Sequence, residues 1–409
     1  MIARGSSDGL AQSPSADPME ADGRMVFIDA LRVVVIGWVI LHHAAQPYGP
    51  TGGDWPIGDP GNLEWLRPLY PLGAAFGLGL LFFLAGYFVP RAYERKGAAR
   101  FLKERWLRIG LPLVAFVVLV HVPVVYLIES PRPPFGEFVR SLYDSGWLNA
   151  YLHLWFLGHL VLYSVGYMLW RSLVGRRRDR PRRSWPLPGH AAVVWFVVGL
   201  ALATWLVRGW YPIDEWVPLL FVVAAEPAHL PQYVGLFTLG VIAYRGDWLR
   251  RWPARFGAIW MSIGLVISAA VYAAVMLADD PASDVIEGGG FTWRALLWSA
   301  LEALICAGMV VGLVVVGRAV FHRSSRLLAA MAAASYAAYI LHVTFVIGLQ
   351  AGLEGVDMSA SIKFGVVAIL GVVLAFGAGH LSRRVPGLRA ILGTTPSSRS
   401  RLVERERGG

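Results

Sequence analysis

Cysteine is nearly absent from this chain of 409 residues: one occurs, Cys306, inside an apolar run. A lone thiol excludes a disulfide framework, a CxxC redox pair and a zinc–thiolate centre. Charge is also scarce, at 16% of residues against 56% hydrophobic, with a mean hydropathy of +0.53. A soluble core of this length needs far less apolar surface, so the composition is that of an integral membrane protein. Walker A and GxGxxG patterns are missing, which removes the usual nucleotide folds. No internal repeat suggests an inverted-repeat transporter, and the stretches between apolar runs are too short to bury a soluble core. Residues 1–24 are rich in Gly, Ser, Asp and Pro and precede the first span without an apolar leader. They read as a disordered tail, not a signal peptide.

Ten apolar stretches fit helical spans: 27–46, 69–89, 109–128, 152–170, 190–208, 229–244, 256–277, 295–317, 331–350 and 362–382. The loops 91–108, 171–188, 245–255, 318–330 and the tail 383–409 hold 7, 7, 4, 3 and 7 Lys or Arg. The intervening loops 47–68, 129–151, 209–228, 278–294 and 351–361 hold 1, 2, 0, 1 and 0. The formal charge of +10 is therefore a topology signal and not a nucleic-acid patch. The expected fold is an all-α integral membrane protein, a polytopic bundle of about ten transmembrane helices with both termini cytoplasmic. Residues 1–24 form one tail, 25–385 the membrane domain and 386–409 a basic tail. The least regular region is 209–245, where 229–244 is short for a span and 216–225 has the look of an interfacial or re-entrant piece.

The first span carries F-I-D-A-L-R and, further on, H-H. At 100° per residue Asp29, Arg32 and His43 fall within about 60° of one another, and Asp29 to His43 rises about 21 Å. Ionisable groups in a span usually face a protein interior or a wet cavity. An interfacial i,i+3 pair plus a satisfied bundle histidine is the plainer account. Arg105 and Arg108 are also i,i+3, at the cytoplasmic rim; they read either as topology anchors or as a paired clamp for phosphate oxygens. Ser335, Tyr339 and His342 share one face of the ninth span, lining a polar site or bonding neighbouring helices. His153 and Trp155 open the fourth span, as part of an aromatic belt or as a carbohydrate platform. Glu302, near Cys306, is a carboxyl at membrane depth that no pattern explains. His121 and His159 read as structural. The histidines are dispersed over different spans, so no metal site is expected.

The D-x-L-R spacing with a histidine fourteen residues after the Asp resembles the opening helix of the acyltransferase 3 family of bacterial membrane acyltransferases. Tyr48, five residues beyond His43, is similar to the branch that succinylates osmoregulated periplasmic glucans. F-F-L-A-G-Y at 82–87 resembles the second-helix signature, with Ala85 where Ser is common. R-W-L-R at 105–108 before Pro112, H-L-W-F-L at 153–157 and S-Y-A-A-Y-I-L-H at 335–342 match further patterns in order. The resemblance runs from about residue 25 to 385.

It implies an O-acyltransferase of the bacterial inner membrane that moves an acetyl or succinyl group from cytoplasmic acyl-CoA to a carbohydrate hydroxyl. Arg105 and Arg108 would then hold the CoA phosphates, and His153, Trp155, Ser335, Tyr339 and His342 would line the substrate site. Acyl transfer needs a base for the attacking hydroxyl, and histidine suits that task near neutral pH. His43 is the expected base, with Asp29 and Arg32 organising the inner part of its helix. The expected partners are acetyl-CoA or succinyl-CoA, a glycan acceptor and membrane lipids, with no nucleic acid and no metal. The competing expectation is a transporter or flippase for a glycan or small solute.

Overall fold

The computed structural model describes residues 25–49, 55–129, 131–145, 148–174, 185–220, 223–277 and 289–392. The tail 1–24 and most of the basic tail 386–409 lie outside them. Apolar runs become helices because a spanning backbone must satisfy its own hydrogen bonds. The helices are α1 (Val26–Ala45), α2 (Leu69–Lys96), α3 (Ala98–Ile128), α4 (Leu152–Leu173) and α5 (His190–Arg208). After a two-stranded hairpin come α6 (Leu230–Gly246), α7 (Ala254–Leu277), α8 (Trp293–Val320), α9 (Arg326–Gly352) and α10 (Ala360–Ser382).

Among the described residues nine helices are long and apolar enough to cross a membrane. The tenth, α6, has 17 residues, about 25 Å of rise. It compensates with close packing. A Cβ on Gly86 of α2 would lie 2.1 Å from the Phe237 carbonyl oxygen, and one on Gly240 would lie 2.1 Å from that of Phe83. Only glycine permits that approach, which locks α6 along α2. The irregular segment before α6 is the hairpin, β1 (Val217–Leu219) against β2 (Val223–Ala225), antiparallel with Val217 opposite Ala225. Its second strand is wholly buried, as backbone outside a helix has to be in such a bundle.

Two features position the site. Helix α1 packs against α2, α8, α9 and α10, so it runs through the middle of the bundle. Helix α3 is interrupted by π-helical turns at Trp106–Gly110 and Val117–His121. Proline causes the first: Pro112 has no N–H for the Arg108 carbonyl. That carbonyl instead accepts from the Tyr336 hydroxyl of α9 at 2.6 Å. Such turns are frequent at functional positions, and these end at Gly110 and His121.

Candidate active site

Histidines that lie far apart in the chain converge where α1, α4 and α9 meet. The His43 ring centroid is 5.0 Å from that of His342 and 6.1 Å from that of His153; His342 and His153 are 4.4 Å apart. His121 of α3 joins at 5.3 Å from His153. Dispersal along the chain therefore does not carry into space. Among the described residues, though, these rings form no group with metal-binding geometry.

Carbonyl oxygens only accept, so they fix the tautomers. His342 donates through Nδ1 to the Tyr339 carbonyl at 2.6 Å, which leaves Nε2 bare in the neutral ring. His43 Nδ1 lies 2.7 Å from the Val39 carbonyl and 3.3 Å from His342 Nε2. It must carry the hydrogen, shared between two acceptors, and His43 Nε2 keeps its lone pair. His153 donates through Nε2 to the same Tyr339 carbonyl at 2.8 Å. The Tyr339 hydroxyl donates back to the His153 carbonyl. His121, His153 and His342 are buried, and His43 alone of the four is partly exposed.

Gln350 of α9 and Trp55 of the loop after α1 hold the His43 end of α1. Gln350 donates to the His43 and Ala44 carbonyls at 3.0 and 3.3 Å, in the last turn of α1. Its Oε1 accepts from Trp55 Nε1 at 2.9 Å, and the Trp55 ring centroid lies 5.4 Å from that of His43. His42 turns elsewhere, against Tyr70 at 4.9 Å.

The end of the bundle with the Lys- and Arg-rich loops carries a cavity of about 340 Å³. Arg91, Arg95, Lys96, Arg105 and Arg108 line it with Phe88, Phe101 and Glu104. Glu104 is occupied by Lys96 and by Arg100. Arg105 lies 5.2 Å over the Phe101 ring, and Arg32 lies 5.1 Å over Phe88. Asp29 pairs with Arg32 at 3.8 Å. These two residues thus belong to the cavity end of α1, remote from His43.

Residues 25–380 match the acyltransferase domain that defines the acyltransferase 3 family. The chain belongs to the acyltransferase 3 family. It is also 23% identical over 395 residues to proteins named glucans biosynthesis protein C from Salmonella schwarzengrund (strain CVM19633), Salmonella agona (strain SL483) and Salmonella enteritidis PT4 (strain P125109). Each match covers 91% of this chain and 95% of the relative. No solved structure matches it. The protein is a multi-pass membrane O-acyltransferase, and the transporter alternative falls away.

Four of the ten residues expected to serve the acyltransferase come together. His43, His153, Tyr339 and His342 meet directly, while Arg105 and Arg108 share the cationic cavity despite the π turn between them. Ser335 donates to the Ala332 carbonyl of its own helix at 2.9 Å. Trp155 is buried among His159, Trp216 and Tyr233, with centroids 5.4–5.5 Å away, and braces α4 against the hairpin and α6. Gln350, Trp55, His121, Arg91 and Arg95 were not expected here.

Glu302 finds its explanation in a separate buried network. Its carboxylate accepts from Arg208 at 2.5 Å and from His229 at 2.9 Å. The other nitrogen of His229 lies 2.8 Å from Glu226. Both imidazole nitrogens face carboxylates, and Arg208 adds a guanidinium to the same buried cluster.

Proposed function

We propose that this acyltransferase moves an acetyl or succinyl group from cytoplasmic acyl-CoA to a hydroxyl of a glucan-type carbohydrate, with His43 as general base. The basic loops would face the cytoplasm of a bacterium whose inner membrane the bundle spans. The observation that carries the reading is the His43 tautomer: Nδ1–H is tied to Val39 and His342, which leaves a lone pair on Nε2 of the only partly exposed histidine in the cluster.

The acceptor hydroxyl gives its proton to His43 Nε2 while its oxygen attacks the thioester carbonyl carbon. The tetrahedral intermediate collapses with cleavage of the C–S bond. The departing sulfur takes the proton from His43, giving an ester and free CoA thiol. Arg105 and Arg108, with Arg91 and Arg95 opposite, suit the phosphates of the donor head. The cavity is of small-molecule size and takes that head, not the whole donor. The glucan acceptor rests on the name of the relatives.

The test is free-thiol release from acetyl-CoA and succinyl-CoA by purified protein, with and without glucan oligosaccharides, beside a His43→Ala protein of equal insertion. Acceptor-stimulated release lost in His43→Ala is the expected result. Release retained in that variant removes His43 as base, and a matching loss in His42→Ala moves the assignment by one residue.

A further inference from the structure

We infer that Trp55 is the platform on which the acceptor sugar ring lies, an acceptor-specificity residue that the family pattern does not assign. The inference rests on the proposed reaction and names where its acceptor binds. A hydroxyl reaching His43 must come from a side not already filled by the protein. On the Nδ1 side stand Val39 and His342, and His153 closes the interior. Two further rings stand 5.4 Å from His43: His42, which packs edge-on against Tyr70, and Trp55, whose plane is inclined by 44° to that of His43. Trp55 is also partly exposed and lies in a loop between spans, at the end of the bundle opposite the cationic cavity.

The ring is held in place. Its Nε1–H is bound by Gln350, which also holds the His43 carbonyl, so one amide sets both groups relative to each other. The loop is pinned again at Ile57, which packs with Val343 and Ile347 of α9. Asp59 then bonds Lys363 of α10 at 2.8 Å, and Leu63 N–H donates to the Tyr48 carbonyl at 2.7 Å. An amphipathic ring so fixed offers area to a ligand without losing side-chain entropy on binding. Pyranose rings present C–H faces that lie flat on indole while their hydroxyls project from the edges. In this arrangement the proposed sugar on Trp55 would turn a hydroxyl edge toward His43.

The experiment measures binding of a β-glucan oligosaccharide to the full-length protein in nanodiscs, and thiol release in parallel. Trp55→Ala and Trp55→Leu are expected to weaken glucan binding about tenfold or more, with Trp55→Phe within about threefold of wild type. The donor KM should stay unchanged in all three. The same losses should appear when the variants are built on His43→Ala, where no chemistry intervenes. Equal binding by the Leu and Phe variants overturns the platform, because packing alone then suffices. Unchanged binding in Trp55→Ala overturns it too, as does a wild-type protein that binds no glucan. A His43→Ala protein that still releases thiol condemns the base assignment instead and leaves the binding result standing.

Discussion

His342 Nε2 stands 3.3 Å from His43 Nδ1, across 299 residues of chain. Its own hydrogen is committed to the Tyr339 carbonyl, so toward His43 it only accepts. If His43 takes a proton at Nε2, as the proposed reaction requires, this lone pair would face the new imidazolium and hold the ring orientation. His342→Leu is expected to lower kcat about ten- to a hundredfold with little change in either KM. His342→Gln, whose Oε1 also accepts, should recover most of that loss. Steady-state kinetics on the two variants decides it: equal defects would reduce His342 to packing.

The cationic cavity predicts a donor-side effect. Arg108→Ala and Arg95→Ala should each raise the acyl-CoA KM about tenfold and leave the acceptor KM alone, as expected for a lost charge-assisted phosphate contact. Raising salt should mimic them, because an exposed phosphate clamp is screened. Donor titrations at two ionic strengths test this, and a salt-independent KM would move the phosphates elsewhere.

The buried quartet predicts a stability effect. Glu302→Ala leaves Arg208 and His229 facing each other without their shared anion. The expected cost is about 3–5 kcal/mol, the usual penalty for breaking a buried ion pair from one side. Arg208→Met combined with Glu302→Leu removes both charges and should recover much of it. Thermal unfolding in detergent compares the three proteins.

Asp59 predicts a pH effect in the loop between α1 and α2. Burial alone would raise its carboxyl, but the Lys363 ammonium and the Gly61 N–H outweigh that and hold it below the ordinary carboxylate range. A lowered folded value means the stabilisation is complete above the unfolded value, near pH 4, and is lost as pH falls through the folded one. At neutral pH Asp59→Asn should therefore melt below wild type, and the two should converge as pH falls below about 4. A constant gap across that range would show that the pair contributes no pH-dependent stability.

The helices were legible because apolar length and alternating Lys and Arg follow from the bilayer itself. Helix α6 is the least regular of them: it is short, and Gly86 and Gly240 hold it against α2. The hairpin lies within the stretch that the sequence marked as re-entrant, but nothing in 216–225 specified two paired strands. In the candidate site, periodicity gave the face of α1 but not its neighbours: it cannot tell that α4 and α9 bring His153 and His342 to His43. Arg91 and Arg95 were masked by their value as topology charges. The sequence does carry a signal for part of this site. Arg32, Arg208 and Lys363 are the basic residues inside the apolar stretches, and each pairs with a carboxylate: Asp29, Glu302 and Asp59. A buried cation demands a buried anion, so Arg208 already called for a partner such as Glu302.

Helix α1 runs unbroken from Val26 to Ala45 without an internal proline, and about 21 Å separates the levels of Asp29 and His43. A rigid rod between a cationic basin and an imidazole works as a gauge. In the proposed reaction, a donor head in the basin would present its acyl group to His43 by the reach of its carrier arm. A short activated donor such as an acyl phosphate bears the same carbonyl yet ends far below His43. Choice among donors then lies in the thickness of the scaffold, and lengthening α1 by one turn would change which carriers reach the base without touching any contacting residue.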